Sequence, residues 1–131
     1  MRRGKISENV LKRSVLKIIN THRKEVINGA DAGTDCAVLS FGEGHDIALS
    51  TTPVVAPIED ICSYAIPMAL NNIAAVGAEP VGVMLSVLLP EKTEEDELRR
   101  MIGQAQDICG ECGAACNRIK TEKILFLEVE R

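Results

Sequence analysis

Ala69-Leu70-Asn71-Asn72-Ile73-Ala74-Ala75-Val76-Gly77-Ala78-Glu79-Pro80, followed at once by Val81-Gly82-Val83-Met84-Leu85-Ser86-Val87-Leu88-Leu89, decides the fold. The first part closes a helix. Ile61, Ala65, Met68, Ala69, Ile73 and Val76 recur at helical spacing, Glu59 or Asp60 can open the pattern, and Gly77 stands where a left-handed stop belongs. Pro67 lies inside this pattern and is expected to kink or interrupt it, because it lacks an N–H and crowds the preceding turn. The second part is apolar at both alternating sets of positions, as a central strand covered on both faces must be.

Upstream, Ser7 is a candidate N-cap, and Val10, Leu11, Val15, Ile18 and Ile19 predict an amphipathic helix over residues 7–20. The turn-rich stretch from Asn28 to Asp35 reads as loop. Residues 37–41 and 47–51, joined through Gly42-Glu43-Gly44, read as a hairpin. Downstream, Thr93-Glu94-Glu95-Asp96 has the spacing of a capping box, and a stripe from Leu98 through Cys112 predicts a long helix ending at Gly113. Residues 124–129 read as a closing strand. The expected fold class is therefore α+β, or mixed α/β, with a single mixed sheet and helices on one face. A chain of 131 residues is read as one domain, residues 1–131.

Composition narrows the function. A net charge of −4 gives no cationic field for phosphate backbones or anionic lipid, and 2% aromatic residues leave no stacking platform for bases. Neither nucleic acid nor membrane is expected as a partner. The basic start of the chain is broken by Glu8, Asn9, Lys12 and Arg13 rather than followed by an apolar stretch, so a cytoplasmic location is expected. Five cysteines in such a chain should be reduced thiols. Cys109, Cys112 and Cys116 would share one helical face with Ala105 and Ile108, which favours buried, metal-free thiols; a thiol metal site would need a fourth ligand such as His22, His45 or Cys62. The two histidines read as solvated loop residues, and Glu94 to Glu97 as carboxylates favouring a helix N-terminus.

Gly33-Thr34-Asp35-Cys36-Ala37-Val38-Leu39 resembles the Gly-Asp-Asp-Ala-Ala-Val-Leu signature of the aminoimidazole-ribonucleotide-synthetase superfamily. Three more segments match in order. Leu49-Ser50-Thr51-Thr52-Pro53 is similar to a strand ending in Thr-Asp, and residues 69–80 to the signature Asn-Asp-Leu-Ala-x-x-Gly-Ala-x-Pro. Arg118-Ile119-Lys120-Thr121-Glu122 falls where the family has Gly-Gly-His-Thr-Glu. Hydrogenase maturation factors of this superfamily resemble the chain most, over roughly one N-terminal domain of a normally two-domain protein.

The resemblance implies ATP and magnesium as cofactors, phosphoryl transfer or amide activation as chemistry, and a homodimer closed through the open sheet faces into a barrel. A second domain or subunit would complete the architecture. It also implies a nucleotide- and phosphate-binding set of Thr34, Asp35, Thr52, Asn71, Asn72, Arg118, Lys120, Thr121 and Glu122, with Asp35 as the possible magnesium ligand. The chain departs from that set. Where the family has aspartates it carries Thr34, Thr52 and Asn72, and Arg118 and Ile119 replace paired glycines. Magnesium demands hard oxygen ligands, so weak or absent nucleotide binding, and no catalytic residue, is the expectation. Three functions stay open: a non-catalytic dimerising module with a relic site, the N-terminal half of an active ATP-dependent enzyme, and a thiol metal-binding module.

Overall fold

Two glycines stop the two long helices in the same way. In the computed structural model, which describes residues 4–124, helix α2 spans Cys62–Ala75 and helix α3 spans Glu95–Glu111. After α2, Gly77 has φ +74°, its N–H reaches Ala74 O, and Ala78 N–H reaches back to Ile73 O. After α3, Gly113 has φ +69°, its N–H reaches Gly110 O, and Ala114 N–H reaches Cys109 O. This pair of bonds caps orphan carbonyls and requires a left-handed residue, for which glycine carries no Cβ penalty. Pro67 does not interrupt α2. It sits in the second turn, where its missing N–H costs only the bond to the carbonyl of exposed Ser63, which water can serve. The capping box of α3 is set one residue later than Thr93 suggests: Glu94 is the N-cap and Glu97 returns its carboxylate to Glu94 N–H at 3.0 Å.

The first helix is shorter than its periodicity predicts. Helix α1 covers Glu8–Leu11 and passes into a π-helical turn over Lys12–Leu16. Ile18 is 72% exposed, and Val15 and Ile19 are exposed too, so among the described residues little apolar packing supports the later turns of a helix this short.

Five strands follow from the remaining sequence: β1 Val26–Asn28, β2 Ala37–Ser40, β3 Asp46–Leu49, β4 Gly82–Pro90 and β5 Ala115–Ile124. The hairpin of β2 and β3 pairs Ala37 with Leu49 and Ser40 with Asp46, close to the expected positions. Strand β1, only three residues long and exposed throughout, adds antiparallel to β2. The expected single mixed sheet is corrected: the described residues form a three-stranded antiparallel sheet, β1-β2-β3, and a two-stranded parallel sheet, β4-β5. Strand β4 was expected at the centre, yet among the described residues it pairs with β5 alone. The expected closing strand is reached only at Ile124, the last residue of β5; the rest of it lies outside the described residues.

The chain divides into two compact units. Of the described residues, one unit comprises 4–51 together with Asn72–Ala78; the other comprises Thr52–Asn71 and 79–124. In the second unit Cys62 and Ile66 of α2, Val83 of β4, Ala105 and Cys109 of α3, and Ala114 form a buried cluster. Among the described residues only one face of β4 is covered. Val83 and Leu89 are buried, whereas Met84 is 73% and Leu88 56% exposed, because the helices of this unit occupy one side. Apolar character at alternate positions therefore does not mean that both faces are filled within one chain. A mixed α/β fold is what these elements make.

Candidate functional site

In the first unit the segments that resemble family signatures meet through a chain of hydrogen bonds. The loop before β2 is shaped locally, with Ala32 N–H held by Asp31 Oδ1 at 2.6 Å and Thr34 N–H by Asp31 O at 3.4 Å. Thr34 is half-buried, Asp35 is exposed, and Cys36 is buried at 3%. From the last turn of α2, Asn72 Nδ2 donates to Ser50 Oγ at 3.0 Å, and Ser50 Oγ donates to Asp35 O at 2.9 Å. In the other direction Cys36 Sγ donates to Asn72 O at 3.1 Å, and Asn28 Nδ2 donates to Cys36 O at 3.4 Å. The backbone of Asp35 and the side chain of Asn72 are thus brought to one point. Ser50, Cys36 and Asn28 take part without having been singled out; the signal for Ser50 was its place inside the matched segment Leu49 to Pro53.

In the second unit, Thr52 is half-buried and Asn71 exposed. Arg118, Lys120, Thr121 and Glu122 lie exposed on β5. A bulge makes Asn117 an extra residue, so Val83 pairs with Cys116 but Met84 with Arg118. Beyond it Ser86 pairs with Lys120, Val87 with Thr121 and Leu88 with Glu122. Alternation then sets Arg118, Lys120 and Glu122 on the open face with Met84 and Leu88, and Thr121 on the opposite face. Lys120 Nζ is paired with Glu122 Oε1 at 2.7 Å. Two surface depressions, one along α3 at Leu98, Ile102 and Gln106 and one beside Val38, Asp46 and Gly77, include none of the nine expected site residues.

Among the described residues no group of three or more His, Cys, Asp or Glu side chains could hold a metal ion. Magnesium needs oxygen acceptors, and the group aimed at Ser50 is an amide N–H.

The cysteines are rearranged relative to expectation. Cys109 is fully buried in α3, Cys112 is the exposed C-cap, and half-buried Cys116 lies on β5, because Gly113 ends the helix between them. Burial pushes the Cys109 thiol up, reinforced by the neighbouring Cys116 and Cys112, and burial with Cys116 nearby does the same for Cys62. Since the thiolate is the nucleophile, both should resist alkylation at neutral pH. Iodoacetamide should modify Cys112 first, with Cys62 and Cys109 reacting only after denaturant is added. Equal labelling of Cys109 and Cys112 in the native protein would contradict this packing.

Comparison with known families then places the chain. Residues 33–123 match the AIR synthase related protein, N-terminal domain, and the chain belongs to that family. It is 34% identical over 71 residues to a thiamine-monophosphate kinase of Haemophilus influenzae, covering 47% of this chain and 21% of the kinase. It is 23% identical over 120 residues to a putative hydrogenase expression/formation protein of Methanocaldococcus jannaschii, covering 86% of this chain and 35% of that protein. A thiamine-monophosphate kinase of Salmonella typhimurium is 32% identical over 84 residues, 58% of this chain and 25% of the enzyme. The matched region is therefore between about a fifth and a third of these relatives' length. No helix among the described residues is long and apolar enough to cross a membrane.

Proposed function

We propose that this chain is a dimerising, non-catalytic domain of the ATP-binding type whose magnesium–nucleotide site has decayed. The observation that carries the reading is Asn72. It stands where the family signature has a carboxylate, and it directs an amide donor into a hydrogen-bonded chain where a cation would need an acceptor. Asp35 and Glu122 are the carboxylates left at matched positions, with Arg118 and Lys120 able to attract an anion but not to replace a metal. Calorimetric titration with Mg·ATP tests it, and a low-micromolar complex would overturn it.

A second reading is favoured by the short span of the match. The chain would then be the N-terminal part of an ATP-dependent enzyme whose second domain or subunit supplies the missing ligands. Such a site would show Mg·ATP binding only once that partner is added. In either case five free thiols suit a reducing cytoplasm.

The open face of β4 and β5 is the proposed dimer surface. Met84 and Leu88 on that face, flanked by Arg118, Lys120 and Glu122, form an apolar centre with a charged margin that a twofold mate would cover. Light scattering at micromolar concentration should report a dimer, and Leu88→Glu should shift it to monomer. A wild-type monomer would remove the dimer from the proposal.

A further inference from the structure

Ser50 is the pivot of the contacts around Asn72, and a serine hydroxyl has one proton to donate and lone pairs to accept with. That proton is committed to Asp35 O, so what Ser50 offers to Asn72 is an acceptor only. The order is directional: Asn72 N–H to Ser50 Oγ, Ser50 O–H to Asp35 C=O. Asn72 is held a second time through its own carbonyl, which accepts from the buried Cys36 thiol, and the Cys36 carbonyl is held in turn by Asn28. One residue thus ties the last turn of α2 to the loop before β2 and to the residue following β3. The segment Asn72–Ala78 accordingly belongs with the first unit although the rest of α2 does not.

We infer that Asn72, Ser50 and Asp35 form a structural clasp at the former ligand position, one that needs a neutral donor at residue 72 and is broken by a carboxylate there. The inference rests on the decayed-site reading for what residue 72 once was, but the clasp itself is a claim about stability. An ionised aspartate at 72 has no proton to give. It either faces the lone pairs of Ser50 Oγ or draws the hydroxyl away from Asp35 O, and one bond of the chain is lost either way. A protonated carboxyl can donate, so acid restores the bond.

The sign follows from linkage. Because the neutral form is the one that fits, the introduced carboxyl has a folded pKa above its unfolded value of about 3.9. Its favourable contribution is present below that value and is lost as pH rises through the folded pKa. The same inference denies that a single aspartate revives cation binding, since it adds one carboxylate while removing a contact that orders the loop.

Thermal unfolding of the full chain tests this with Asn72→Asp, Ser50→Ala and the double variant, alongside titration of Asn72→Asp with magnesium chloride alone. At pH 7 Asn72→Asp should lower the midpoint by about 3–6 °C, the expected effect of one net hydrogen bond in a chain of this size, and Ser50→Ala, which removes both bonds made by the hydroxyl, should lower it by at least as much. The double variant should lose less than the sum. The gap between Asn72→Asp and wild type should narrow as pH falls from 7 towards 4, and magnesium should give no binding heat. Additive losses, a midpoint for Asn72→Asp equal to wild type at pH 7, or magnesium binding gained by that variant alone would each overturn the clasp. Tight Mg·ATP binding by the wild type would instead overturn the decayed site, so the two failures are distinguishable.

Discussion

Titrated with Mg·ATP, the wild-type chain should give no signal in the micromolar range, while the combined variant Thr34→Asp, Thr52→Asp, Asn72→Asp, Arg118→Gly should bind. The expected size follows from the ligands. Losing a hydrogen-bonding partner to a charged group costs about 1.5–3 kcal/mol, so three neutral substitutions amount to about 4.5–9 kcal/mol. At about 1.4 kcal/mol per decade, that is roughly three to six orders of magnitude in dissociation constant. Such a loss removes a micromolar complex from the measurable range. Arg118 and Lys120 would recover part of it if they paired with phosphate, although Lys120 already has Glu122 at 2.7 Å. Arg118→Gly would let the backbone approach a phosphate where a side chain blocks it. All four changes are needed together, because a bound cation would supply the countercharge that an isolated aspartate at 72 lacks. A silent combined variant that is still folded would mean that the ancestral geometry, and not only its charge, is gone.

The residues that were legible in the sequence are those whose neighbours are local. Both glycine stops, the hairpin of β2 and β3, and the long acidic-started helix depend on contacts within a few residues, and all appear in the structure. The errors arise where the deciding partner is distant or lacking. Residues 12–20 have helical periodicity, but among the described residues Val15, Ile18 and Ile19 stay exposed, and the helix stops early. Strand β4 is apolar on both faces, which pattern alone equates with two covers, while among the described residues one face stays open. The spacing of Cys116 fits the helix, but Gly113 ends that helix first and Cys116 lies on β5. The candidate site divides the same way. Family signatures pointed to Asp35 and Asn72, but the Ser50 link between them depends on β3 meeting the end of α2, a contact 22 residues long in sequence.

Ile66→Ala should be the most destabilising apolar truncation in the second unit, by about 3–4 kcal/mol. Ile66 is 1% exposed and is, with Cys109, one of the largest fully buried side chains. Around it the buried cluster is built from Cys62, Val83, Ala105, Cys109 and Ala114, with larger Leu70, Leu85 and Met101 only at its margin. Three methyl or methylene groups are removed, worth about 0.8 kcal/mol each in transfer alone. The remainder is the cavity. Small side chains fixed to α2, α3 and β4 cannot reach in to fill it, so little is recovered by collapse, and the cost should sit in the middle of the range of about 2–5 kcal/mol seen for such truncations. With an unfolding entropy of about 2.1 cal/mol/K per residue, the midpoint should fall by about 10 °C or more. Met68→Ala is the internal control: it lies on the same helix two residues on, is exposed, and should shift the midpoint by a small fraction of that. Equal effects from the two substitutions would mean that α2 does not turn its Cys62 and Ile66 face toward β4 and α3.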